Sequence, residues 1–128
     1  MYDLEYANLD NPKFNSHEQF AYFRKFQDDL LLIVLNFHDT HIDTEVRIPL
    51  EAFQYLDIIP GQNYSCVNLL DESIFYTSVS LSPENNFCIQ MPPWKGFIFK
   101  CSKINVWQLT CYRGFNEIDF LKIRFKAL

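Results

Sequence analysis

A chain of 128 residues, 48% apolar and 17% aromatic, with 13 Phe and 7 Tyr against only 3 Gly, is one folded domain able to bury its own core; disorder is excluded for most of it. A net charge of −5 lacks the basic stripe that a nucleic-acid binder needs to displace counterions from phosphate. No apolar stretch reaches the roughly 18–20 residues of a transmembrane helix, and the acidic start Met1-Tyr2-Asp3-Leu4-Glu5 lacks the regions of a secretion signal, so the cytoplasm is the expected compartment.

The first eighteen residues read as an irregular leading segment, with Asn8-Leu9-Asp10-Asn11-Pro12 as a turn cluster. Two apolar runs follow, Gln19 to Phe26 and Asp29 to Phe37, separated by Gln27-Asp28-Asp29. Leu30 to Leu35 is apolar on both faces, which predicts a central strand covered on each side. His41 to Ile48 alternates: Ile42, Thr44, Val46 and Ile48 face one way, His41, Asp43, Glu45 and Arg47 the other. That is a half-buried strand with one wet face. Pro49 to Leu56 is the one helical stretch, with Pro in the first turn and Leu50, Phe53 and Leu56 at i, i+3, i+6.

After the turn at Pro60-Gly61, short strands recur at Tyr64–Leu70, Tyr76–Leu81, Phe87–Met91 and Gly96–Cys101, with turn chemistry between them. Regular spacing of this kind predicts an all-β antiparallel sandwich with one short helix. Residues 1–102 form its body. Charge changes sign after them: residues 1–102 hold 6 Lys+Arg against 14 Asp+Glu, whereas residues 103–128 hold 5 against 2. The basic segment 103–128 reads as an extension of one or two added strands, Val106 to Cys111 and the alternating Leu121, Ile123 and Phe125.

Chemistry-bearing patterns are sparse. His38, Asp39, His41 and Asp43 combine imidazole with carboxylate, a metal-binding mixture, but a turn followed by a wet strand face produces the same pattern. No G-x-S-x-G, G-x-G-x-x-G or phosphate loop occurs. Asp28-Asp29 and Asp71-Glu72 sit in turns, where neighbouring acids are solvated. No catalytic residue, metal or cofactor is therefore assigned. Cys66, Cys88, Cys101 and Cys111 match no zinc spacing and read as free core thiols, with a disulfide or a metal as the lesser alternative. Trp94, in the turn Pro92-Pro93-Trp94-Lys95-Gly96, is a lid on the core, a platform for a sugar face with Tyr64 and Tyr76 as its candidate neighbours, or part of a protein interface.

Particular residues resemble a known family. Tyr2-Asp3-Leu4-Glu5-Tyr6-Ala7-Asn8 and the run Phe14 to Phe26 resemble the stretch where α-amylase-family glycoside hydrolases leave their catalytic barrel. Leu31 to Phe37 looks like the strand shared by their C-terminal domains, apolar residues ending in Asn-Phe. Ile48 to Leu56 with Pro60-Gly61 is similar to a subgroup of bacterial amylases. The resemblance covers about residues 1–100 and implies a Greek-key sandwich. In it Phe23, Arg24, Asn36 and Phe37 match a structural motif: Phe23 and Phe37 would be core, and Asn36 would hold the turn after its strand. The family's catalytic acids belong to the barrel, so none carries over.

The expected function is thus a non-catalytic accessory domain, packing on a glycoside hydrolase barrel or self-associating as a homodimer through an apolar patch. The alternative is a free-standing α-glucan-binding module that uses Trp94.

Overall fold

The computed structural model describes residues 1–104. The 103–128 extension falls outside them except for its first two residues. Among the described residues, eight strands form two antiparallel sheets around one core: β1 (Tyr2–Asp3), β2 (Gln19–Phe26), β3 (Asp29–Asn36), β4 (Ile42–Val46), β5 (Gln62–Asn68), β6 (Phe75–Leu81), β7 (Phe87–Met91) and β8 (Lys95–Lys103). The larger sheet runs β1-β2-β3-β8-β5-β6; β4 and β7 pair in the smaller. Helix α1 (Leu50–Leu56) joins the layers. This is an all-β sandwich with one short helix. Strand β8 returns beside β5, with β6 and then β7 following on the far side, so β5 to β8 trace a Greek key divided between the two sheets. Among the described residues no helix is long and apolar enough to cross a membrane.

Strands β2 and β3 form a hairpin closed at Phe26↔Asp29, leaving Gln27-Asp28 as a two-residue loop. Gln27 adopts φ 57°, the sign that primed hairpin turns require and that only Gly adopts without strain. Gln27→Gly is therefore expected to raise stability by about 0.5 kcal/mol, the relief of left-handed strain less the added freedom of the unfolded chain. A small increase in melting temperature checks this; a decrease would mean that the Gln27 side chain contributes more than its backbone strains.

Alternation sorts the large sheet into two faces. Ala21, Phe23, Leu30, Leu32, Val34, Phe97, Phe99, Cys66 and Cys101 turn inward. There they meet Val46 of β4, Phe87, Ile89 and Met91 of β7, and Ala52, Phe53 and Leu56 of α1. In the helix, Pro49 is the extended N-cap rather than a first-turn residue. Leu50 is exposed, and Ala52 takes its place in the buried stripe. The helix ends at Asp57, φ 55°, where Ile58 N–H donates to Phe53 O at 3.0 Å. This is a Schellman closure with Asp in the place of Gly. Lys25 Nζ donates to Leu56 O at 2.6 Å, a cation at the negative end of the helix.

The leading segment is more regular than its turn-rich sequence predicts. Tyr2 and Asp3 pair with Phe23 and Tyr22, and Tyr6–Asn8 make one 3-10 turn. Asn8 and Asn11 are buried and dock on β4: Asn8 donates to Arg47 O and accepts from Arg47 N–H, while Asn11 donates to Glu45 O. Their amides stand in for a further strand along that edge.

Candidate functional site

The face of the large sheet turned away from the core is also apolar. Tyr22 of β2, Ile33 of β3 and Ile98 of β8 align across it, as do Phe20, Leu35 and Gly96. A third row runs Arg24, Leu31, Lys100, Val67 and Phe75. Ile33 is only 6% exposed yet stands outside the core cluster. Leu35 lies over Gly96, its Cδ2 in the space that a Cβ there would occupy. Around them Phe20, Phe37, Leu69 and Phe75 are 39–55% exposed, and the Phe20 and Phe37 rings meet edge to face at 5.8 Å. Helix α1, β4 and β7 all place their buried side chains on the opposite, inner side. Arg24 lies on the same face, as does Lys100, whose Nζ is 3.8 Å from Asp29 Oδ1, giving an apolar centre with charge at one end.

The inward parity of Asn36 corrects one expectation. Asn36 is 1% exposed, so the next residue, Phe37, turns outward and is not core. Phe23 is fully buried and Arg24, its neighbour, is exposed. Asn36 Oδ1 accepts from His38 N–H at 3.1 Å, while its Nδ2 donates to Pro92 O at 2.9 Å. One side chain thereby ties the turn after β3 to the crossing from β7 to β8.

Trp94 sits in that crossing, 66% exposed and at φ 55°, with its N–H on His38 O at 3.3 Å. A left-handed backbone is costly for a bulky side chain. Tyr64 and Tyr76 do not join it. Tyr64 pairs with Lys103, at the opposite end of β8 from the Trp94 turn. It is 2% exposed, so its ring offers no face to a sugar, and burial pushes its phenol up. Tyr76 is half-buried, its ring 5.7 Å from both Phe87 and Phe99. The three aromatics are separate features, not one platform.

The imidazoles divide as well. His38 lies between Glu18 and Asp39, at 3.3 and 3.2 Å, while His41 pairs with Asp43 at 3.0 Å. Among the described residues no three His, Cys, Asp or Glu are grouped to hold a metal. Cys66 and Cys101 are buried as expected, but Cys88 is exposed, because β7 turns Phe87, Ile89 and Met91 inward and Cys88 takes the alternate face. Cys111 lies outside the described residues.

The sequence profile of the family described as "Alpha amylase, C-terminal all-beta domain" matches residues 10–102, well over half of the chain. The chain belongs to that family. In an α-amylase C-terminal domain of this kind the accessory fold is non-catalytic, and the matched span here ends within β8, one residue short of Lys103. A solved Bacillus halodurans structure, described as an alpha-N-acetylgalactosaminidase, is similar to this domain at a TM-score of 0.49 and 19% identity. The match covers 70% of the present chain and 19% of that one. No curated protein matches the chain.

Proposed function

We propose that this domain is the accessory part of a glycoside hydrolase, and that the outer face of its large sheet seats a catalytic barrel. The observation that carries the reading is the second apolar cluster centred on Ile33, outside the core and flanked by exposed Phe20, Phe37 and Leu69. A sheet apolar on both faces needs two covers, and patches of this sort mark protein contacts. Family membership supplies the chemistry of the partner, since C-terminal domains of α-amylases accompany a barrel. The role is to shield apolar surface, with no catalytic group contributed by this chain.

The test is an amide NMR titration of the chain with an α-amylase barrel produced without its own C-terminal domain. Saturable shifts should centre on Ile33, Leu35 and Ile98, and Phe20→Asp/Leu35→Asp should abolish them. No binding, or shifts confined to β4 and β7, would sink the proposal. Self-association through the same face, seen by sedimentation of the chain alone, would replace the barrel with a second copy.

One observation favours a second reading, an α-glucan contact at Trp94: a bulky aromatic is kept exposed on a strained backbone. Titration with maltoheptaose separates the two. Shifts around Trp94 that vanish in Trp94→Ala would establish the sugar contact, and flat spectra at millimolar sugar would remove it.

A further inference from the structure

We propose that Cys66 and Cys101 form a disulfide site built into the sheet, closed by exchange with a small-molecule disulfide as the chain folds. The two residues are direct partners in the antiparallel β5–β8 ladder. Partners of that kind hold their Cα atoms about 4.5–5.5 Å apart, inside the range that disulfides span. The Cys66 S–H donates to Cys101 Sγ at 3.4 Å, both side chains being buried. Closing the bond to about 2.05 Å moves each sulfur by well under 1 Å, with no shift of register. Cys88, exposed on β7, is not placed for this reaction.

The chemistry balances as thiol–disulfide exchange. One cysteine thiolate attacks glutathione disulfide and releases one glutathione thiolate, giving a mixed disulfide. The second cysteine thiolate displaces the other glutathione. Two S–H bonds are lost and one S–S bond forms; the two electrons reduce glutathione disulfide to two thiols, which take up the two protons. In the finished fold the Cys66 hydrogen bond and burial hold the Cys101 thiol well above its usual range. The thiolate is suppressed there, and the side chain, 3% exposed, offers little surface to a solvent-borne reagent. Closure therefore belongs to the folding step, before the sheets seal, and the redox state adopted at that moment is then locked in. The bond would fasten the returning strand β8 to β5 and close the Greek key covalently around β6 and β7.

The test is to refold the denatured, reduced chain in a glutathione redox buffer or in dithiothreitol, then alkylate under denaturing conditions and weigh it. Tryptic cleavage leaves Cys66 and Cys88 on one peptide, so Cys88→Ser is carried in parallel. The expected result is a Cys66–Cys101 link in both proteins after oxidative refolding. The melting temperature of the linked chain should exceed that of the reduced chain by about 10 °C, and the gain should disappear in Cys66→Ala. Adding glutathione disulfide to the already folded, reduced chain should modify Cys88 and leave the buried pair reduced. Four alkylated cysteines after oxidative refolding to a native amide spectrum, or a link through any other pair, would overturn the proposal.

Discussion

Phe99→Ala is expected to lower stability by about 4 kcal/mol, a loss typical of a fully buried Phe whose site cannot collapse. Phe99 is 0% exposed and stands at the meeting point of the layers. Its ring lies 5.5–5.7 Å from those of Phe87, Tyr76 and Phe97, which come from three strands of both sheets. Each neighbour is held by its own ladder, so none can move far to refill the space. Urea unfolding should show the midpoint shifted with the slope unchanged. A loss below about 2 kcal/mol would mean that the aromatic cluster relaxes around the vacancy, contrary to the close packing described.

The second large effect comes from a polar residue. Asn8→Ala should cost about 3 kcal/mol, because each buried group left without a partner carries about 1–3 kcal/mol of desolvation. Asn8 is fully buried. It donates to Leu4 O at 2.8 Å and Arg47 O at 3.0 Å, and accepts from Arg47 N–H at 2.7 Å and Asn11 Nδ2 at 2.9 Å. Asn8→Asp tests the same network differently. It keeps the acceptor but turns a carboxylate toward the two carbonyls, so the folded state favours the protonated acid. Its pKa then lies higher in the folded than in the unfolded chain, and the variant should regain stability as pH falls. Equal stability of Asn8→Asp at neutral and acidic pH would show that water reaches the site.

Period-two patterning makes most strands legible in the sequence. The run Leu30 to Leu35 announced a strand with apolar groups on both faces, and Ile42 to Ile48 announced which side was wet. What escaped the sequence were choices that only distant partners make. Tyr64, Cys66 and Asn68 turn inward while Ser65 and Val67 turn outward, and nothing in their polarity tells one set from the other, so Tyr64 reads from sequence as a candidate sugar-facing aromatic. The resemblance implies a core position for Phe37, but the buried Asn36 before it takes the inward position and Phe37 turns outward. Strand β1 is two residues long and exists through its pairing with β2. The register that sets Cys66 against Cys101 joins strands 35 residues apart, beyond the reach of local spacing.

Among the described residues, the ends of the large sheet bear on how copies of the chain meet one another. At one border β1 covers β2 for only two residues, and the stretch it leaves open carries Arg24 and Lys25. At the other, β6 pairs with β5 through an irregularity between Tyr64 and Cys66, where two residues of β6, Thr77 and Ser78, stand opposite the single Ser65. Charged stubs and bulges are the devices by which natural sheets refuse to grow sideways into fibrils. Crowded molecules of this domain should accordingly resist templated, ribbon-like polymerisation. Where they do stick, contact should be flat against flat and end at a pair, a geometry that favours discrete complexes over precipitate.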